Sequence, residues 1–588
     1  MFTRTSASDG TPQSTRVRMG CLRGCLISLL VYFILSAVIG WIIGGLFPSQ
    51  PVVELESNTV YRLKMEGTLV EQARSENPFA FIVGDLFGVG DNAGQVGLDE
   101  ILSNIRLAKN DDRILGIWLD GASLSMAPAS AKAIRDALVD FRQSGKWIIA
   151  SAQNYSQTNY YVASVADRIC LDPIGSVEWN GLTAQKIYYT RLLEKIGVEM
   201  QIIKVGTFKS AVEPYFRTSM SEEDKKQTIE YTQAIWNEYK KAVGETRNIT
   251  EAQLDLLADR YMGLQSAEEQ LQAGLVDTLI YAQDIESLLA TYTGTKDYKI
   301  LSTSQLGCVE RIPSTANDEI AVIYLDGVIT DDTGDGIVGK EVVKNIKRIA
   351  KKDNLKALVV RVNSPGGSAS ASEQIWHAIE NVKADSIPVV VSMGDYAASG
   401  GYYISCGANY IYAEPTTITG SIGIFGTVPN MKNLRDKIGI DVDDVATNKH
   451  SNLNGNMLAK GMNPEEYQLM QNMVDRGYEL FTTRCAQGRN LTQEYIKSIG
   501  EGRVWIGATA KELRLVDEMG NIDDAITKAV ELAGVQSYKI TYYPEKKDIV
   551  EELLEMFIGT PEEKLIQKIQ EFASQSRIMA LMPEVTIQ

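Results

Sequence analysis

The sequence predicts a tandem α/β protein, two homologous halves with mainly parallel sheets, set behind one N-terminal transmembrane helix. Three observations carry that prediction. An uncharged apolar run stands near the start, the rest of the chain repeats itself phrase by phrase, and each repeat alternates short apolar strands with helical patterns. Strands separated by helices favour parallel pairing with right-handed crossovers.

Residues 26–47 read LISLLVYFILSAVIGWIIGGLF, without a charge. As a helix this run spans a hydrocarbon core of about 30 Å. Arg16, Arg18 and Arg23 precede it, and Glu54 and Glu56 follow it. The positive-inside rule then leaves residues 1–25 in the cytoplasm and carries the long remainder across the membrane. A cleaved signal peptide usually has a shorter apolar core, of about 7–15 residues, so an uncleaved anchor is expected. Cys21 and Cys25 beside it are a weak lipidation cue and read as unmodified thiols.

The repeat is visible in pairs of phrases. VYRLKMEGTLV at 60–70 answers IAVIYLDGVI at 320–329, and ILGIWL at 114–119 answers LKALVV at 355–360. Tyr160-Tyr161 ahead of Asp172-Pro173 echoes Tyr402-Tyr403 ahead of Glu414-Pro415. Asn248-Ile-Thr250 echoes Asn490-Leu-Thr492, and both copies close on a Leu-Val-Asp phrase ending at Asp277 and Asp517. These matches divide the chain into halves at 56–312 and 318–538, with a polar, proline-containing boundary between them. Residues 539–588 form a tail, in which 548–573 has the apolar spacing of an amphipathic helix.

Composition excludes several classes. A net charge of −17 argues against a nucleic-acid partner, which calls for a basic surface. The six cysteines form no CxxC pair or Cys/His cluster, so no metal site is expected, and nothing calls for a cofactor. Only two histidines exist, His377 in an amphipathic helical stretch and His450 in a polar run. Neither sits in a catalytic motif, so for a hydrolase built on this chain a base other than histidine is to be considered early.

The halves differ where chemistry is expected. The second contains RVNSPGGS at 361–368 after a buried strand, then GDYAASGGYYIS at 394–405. Ser399 follows the strand 388–393, has small neighbours and opens a helix, a place that favours developing negative charge. Backbone N–H groups of Gly366 or Gly367 and of Gly400 are the candidate oxyanion donors. The first half has DGASLS at 120–125 in place of the Pro-Gly-Gly turn, and its serine column falls on Gln157. It does carry VGTFKSAVEP at 205–214, with Lys209 among small and apolar neighbours. Burial of that kind lowers a lysine pKa toward the range of a useful base, although a lone lysine is ordinarily a solvated surface residue.

Together VGTFKSAVEP, NSPGGS, ASGGYY and TGSIGIFG (419–426) resemble the long tandem form of the signal peptide peptidase A family (protease IV), within the ClpP/crotonase-like superfamily. The resemblance runs from the anchor to about residue 540. It implies tandem ClpP/crotonase-like domains, a serine endopeptidase with Ser399 as nucleophile and Lys209 as general base, and a homotetramer. It also implies a single-pass protein of the bacterial inner membrane, with the catalytic part on the periplasmic side, degrading hydrophobic peptides such as remnant signal peptides. Lys449, in VATNK at 445–449, aligns with Lys209 across the repeat and is a rival, because short family members take their base there. Its Asn/His/Ser surroundings look wetter. Ser421 is a candidate to orient the lysine. Two other classes stay open, a crotonase-like acyl-CoA enzyme and a non-catalytic membrane scaffold.

Overall fold

The computed structural model describes residues 53–73, 94–309, 314–334, 336–451, 453, 460–544, 578–582 and 586–587. The predicted transmembrane helix at 26–47 and the amphipathic helix expected over 548–573 lie outside the described residues. Among the described residues no helix is long and apolar enough to cross a membrane. Residues 53–55 and 304–309 fall in a small unit of their own, in which Val53 and Val309 form a parallel bridge. The other described residues belong to one larger compact unit.

In that unit the first half runs β1 (Thr59–Val70), α1 (Leu98–Asn110), β2 (Ile114–Ser125), α2 (Pro128–Arg142), β3 (Trp147–Tyr155), α3 (Gln157–Ala163), β4 (Arg168–Val177), β5 (Glu199–Lys204) and α4 (Glu222–Arg247). The second half runs β6 (Glu319–Asp326), α5 (Gly339–Ala350), β7 (Leu355–Ser364), β8 (Gly366–Ser368), α6 (Ala369–Ala384), β9 (Val389–Ala398), α7 (Gly400–Ser405), β10 (Tyr410–Ala413), β11 (Ile418–Gly420), β12 (Phe425–Asn430), α8 (Pro464–Arg489) and β13 (Val504–Ile506). A last strand, β14 (Ile578–Leu581), lies near the C-terminus.

Each half has its own sheet. The first has the order β1-β2-β3-β4 at its centre, and every pairing in it is parallel. The second has the order β13-β11-β9-β7-β6, parallel except where β13 meets β11. Helices cover both faces of such a sheet, which is why β7 reads as a nearly unbroken apolar run, LKALVVRVNS, with its centre fully buried. The described residues of the tail region are strands: Lys539–Tyr543 extends the second sheet beside β6, and β14 joins a third sheet.

The repeat extends to polar detail. Asp277 and Asp517 each accept a 2.8 Å bond from a strand N–H, of Ile169 and Ile411 respectively. Each also pairs with the arginine that ends a 26-residue helix, Arg247 on α4 and Arg489 on α8. The echo of Asn-x-Thr has a local cause. Asn248 and Asn490 cap those helices in the left-handed conformation, which asparagine tolerates, and Thr250 and Thr492 then cap the next helices.

Two features join the halves. In the third sheet, which no sequence pattern announced, β5 of the first half pairs antiparallel with β12 of the second over six residue pairs. The second feature is a buried polar clamp. Arg361 on β7 forms a bidentate pair with Glu71, at 2.9 and 3.0 Å, and also donates to Ser392 Oγ and the Met393 carbonyl. Asp395 on β9 accepts from the Ser130 N–H and hydroxyl, at 2.9 and 2.5 Å, in the first turn of α2. First-half groups therefore hold the two strands that lead to the Pro-Gly-Gly turn and to Ser399.

Breaking one partner of a buried ion pair strands the other charge. Glu71→Ala is expected to destabilise the protein by about 3–5 kcal/mol, read from denaturant unfolding. A loss below about 1 kcal/mol, the range of a surface pair, would show that the clamp is solvated.

Candidate active site

Strand β9 continues past the predicted end at Met393 to Ala398, so Ser399 stands at the join between β9 and α7. Its backbone has φ 56° and ψ −112°, a region that costs a non-glycine residue about 1–3 kcal/mol. The surroundings over-determine it: the Ser399 N–H donates to the Gly420 carbonyl at 2.8 Å, and its carbonyl accepts from the Tyr403 N–H at 2.9 Å. The side chain is completely buried.

Lys209 arrives from the other half. β5 delivers the chain to a loop, and a 3-10 turn begins at Ser210. The Phe208 N–H donates to the Glu501 carbonyl at 3.0 Å. Gln227 on α4 then ties the loop to β13, donating to Ser210 Oγ at 3.0 Å and accepting from the Val504 N–H at 3.1 Å. The Lys209 side chain has no exposed surface. Its Nζ lies 2.7 Å from Ser399 Oγ, 3.1 Å from Ser421 Oγ and 3.2 Å from the Ser421 carbonyl. Burial alone holds the amine well below the usual lysine pKa.

The structure thus brings together Ser399, Lys209 and Ser421. It leaves Lys449 on the surface, 67% exposed and paired with Glu465 at the start of α8. His377 is exposed on α6, and His450 lies beside Glu465 and Glu466. Of the three glycines considered as donors, Gly366 and Gly367 make up most of β8, and Gly400 is the first residue of α7. The Gly366 N–H is directed at Ser364 Oγ, 3.1 Å away. Gly367 has φ +155°, and a Cβ there would meet the Ile329 carbonyl oxygen at 2.0 Å.

Sequence reasoning missed what seals the lysine. Gly502, with φ +77°, packs on it so closely that a Cβ would fall 2.6 Å from Lys209 Cβ. Gly423 and the Phe425 ring, whose centroid is 6.0 Å from Nζ, close other sides. Glycine in a loop carries no pattern that says what it touches, so these positions had no signal beyond the Thr-Gly-Ser-Ile-Gly run.

In the first half the equivalent place is stapled shut. Tyr160 and Tyr402 donate to Leu275 and Leu515, matching carbonyls of the repeat, which sets Gln157 opposite Ser399. The Gln157 carboxamide accepts from the Asn180 and Gly181 N–H groups and donates to the Gly181 carbonyl. Strand β2 also runs on through Ser125 where β7 stops at Ser364 for the glycine turn.

Comparison with known proteins agrees with this tandem layout. The model of peptidase family S49 matches residues 140–295 and 381–536, once in each half, and that of Clp protease matches 318–418. Protease 4 of Salmonella typhi is 36% identical over 522 residues, covering 86% of this chain and 84% of that protein. Protease 4 of Haemophilus influenzae is 36% identical over 469 residues, 76% of this chain and 75% of its own. The chloroplastic serine protease SPPA of Arabidopsis thaliana is 28% identical over 456 residues, 76% and 67%.

The depressed lysine pKa has a sign that can be measured. Between the folded value and the unfolded value of about 10.4 the unfolded chain holds the extra proton, so stability rises with pH across that window. Lys209→Met is expected to remove this rise, so that its urea midpoint loses ground to wild type as the pH climbs toward about 10. Parallel pH profiles for the two proteins would mean that Lys209 is charged and solvated in the fold.

Proposed function

The chain belongs to peptidase family S49 and is a serine protease, and from that premise we propose that it cuts peptides with Ser399 as nucleophile and Lys209 as general base. The observation that carries this reading is the 2.7 Å approach of Lys209 Nζ to Ser399 Oγ in a fully buried setting. A neutral amine has two N–H donors and one lone pair. Both donors have acceptors in Ser421, its hydroxyl and its carbonyl, which leaves the lone pair for the Ser399 O–H. The Ser421 hydroxyl is turned away in its own right, donating to the Gly502 carbonyl at 3.3 Å. Ser421 is thereby a positioning residue.

The chemistry follows from that arrangement. As Ser399 Oγ adds to the substrate carbonyl, its proton passes to Lys209 Nζ, and the lysine returns it to the leaving amine. Water then attacks the acyl-enzyme by the same route. The proposed oxyanion donors are the N–H groups of Gly367 and Gly400, with Gly366 holding the turn through Ser364. Apolar walls at Tyr231, Tyr396, Ile418 and Val504 support hydrophobic peptides, remnant signal peptides among them, as substrates. The uncharged run at 26–47 and its flanking charges support anchorage in a bacterial inner membrane with the protease outside the cytoplasm. The homotetramer belongs to the same reading and rests on family resemblance. Neither an acyl-CoA enzyme nor a scaffold has a use for a buried amine against a serine.

Ser399→Ala and Lys209→Ala are each expected to lower peptidase activity by about three orders of magnitude or more. Lys449→Ala and the double variant His377→Ala/His450→Ala should stay near wild type. Activity should climb with pH to a plateau as the lysine loses its proton, and a fluorophosphonate probe should label Ser399. An essential Lys449 beside a dispensable Lys209 would overturn the assignment.

A further inference from the structure

Gln227 is not alone on α4 in reaching the second half. One turn further along, Glu230 accepts two bonds from Arg503 Nη2, at 3.0 and 2.7 Å. The Arg503 guanidinium also lies over two rings, 5.0 Å from the centre of Phe208 and 4.0 Å from that of Trp505. Phe208 precedes Lys209 in the chain, and Trp505 is the middle residue of β13. One side chain therefore touches the lysine loop, α4 and β13 at once. A planar cation suits that place, because it stacks on aromatic faces and keeps an edge for a carboxylate.

The backbone of the same residue supports the other side of the amine. The Arg503 carbonyl accepts from the Ser421 N–H at 2.7 Å, and the Arg503 N–H donates to the Gly500 carbonyl at 2.9 Å. Gly502, which packs on Lys209, is held in turn by a 2.8 Å bond from its N–H to the Ile422 carbonyl. Trp505 has its own tether, Nε1 donating to the Ile499 carbonyl at 2.9 Å. Its ring packs on Gly420, the residue whose carbonyl receives the Ser399 N–H.

The loop that carries Lys209 has a wet side. Gly206 and Thr207 line an open cleft, Thr207 is exposed and Phe208 is only half-buried. Two backbone bonds hold Phe208, its N–H on the Glu501 carbonyl and its own carbonyl on Gln227 Nε2 at 3.3 Å. The carboxylates beside the loop are engaged, Glu501 with the Thr207 hydroxyl and Glu213 with the Ser221 hydroxyl. What grips the Phe208 ring is the Arg503 guanidinium.

We propose that Arg503 is a positioning residue for the lysine base: clamped by Glu230, its guanidinium holds Phe208 against Trp505 and keeps the Lys209 loop shut on the cleft side. The inference rests on the Ser399/Lys209 reading and adds a residue that acts on the amine through Phe208 and Ser421. A loop released from that grip admits water to Lys209, and a hydrated amine regains part of its ordinary pKa.

The test compares the full chain with Arg503→Met, Arg503→Lys and Glu230→Gln, and reads kcat and KM for an apolar peptide across the rising limb of the pH profile. Arg503→Met removes both the charge and the fork. It should move that limb up by about one pH unit, a loss of about tenfold below the limb that vanishes on the alkaline plateau, with KM little changed. Arg503→Lys keeps a cation over the rings and should recover part of the shift. Glu230 is 44% exposed, so Glu230→Gln should fold, and it should shift the limb the same way by less. It carries the test if the urea transition shows Arg503→Met to be unfolded. Activity that is unchanged, or lowered by one factor at every pH, in the variants that fold would overturn the proposal, because a general loss of structure does not follow the lysine's proton. A Lys209→Ala protein that keeps wild-type activity and its rising limb would instead refute the base, and the two failures are thereby distinct.

Discussion

A lysine amine that is to act as a base must be kept from water and from carboxylates, and the architecture around Lys209 answers to that constraint. Nothing but desolvation acts on its pKa. The carboxylates beside its loop are engaged elsewhere: Glu213 accepts from the Ser221 N–H and hydroxyl, and Glu501 from the Thr207 hydroxyl. The seal over the lysine comes from Gly423, Gly502 and Phe425, all of the second half, while the lysine itself comes from the first. It forms only when the halves are joined, and the β5/β12 ladder and the Glu71–Arg361 pair join them.

This explains the division of labour between two copies of one domain. Each copy keeps the scaffold, down to the aspartate that ties the long helix to the sheet, because the scaffold is what folds. Only the second keeps a serine at the strand–helix join and the glycine turn beside it. In the first, Gln157 satisfies the backbone N–H groups that an empty site would leave unpaired, and such groups are costly when buried. Strain is concentrated in the second half accordingly: Ser399 and Ser421 both have positive φ, held by ladder bonds to β11 and to the 501–503 loop.

Much of this was legible from residues alone. The repeat, the parallel α/β layout and the strand–serine–helix join follow from periodicity and from small residues in fixed places, which are local signals. The candidate trio of Ser399, Lys209 and Ser421 came from motif resemblance, since spacing cannot relate residues 190 positions apart. Gly502 and Arg361 were not singled out for what they touch, because a glycine or an arginine has no local pattern that names its partner. The tail was read only as helical over 548–573, and nothing in IMALM distinguishes a docked strand from any short apolar run.

The sequence by itself determined the class of fold, the doubling of the domain and which half had lost its serine, because chain-local periodicity and side-chain chemistry specify those things. Only the tertiary structure decided which lysine meets the serine. Lys209 and Lys449 are equivalent in the repeat, yet one is sealed under glycines of the other half and the other lies in water beside Glu465. Desolvation is a property of everything packed around a group, and no stretch of sequence contains it.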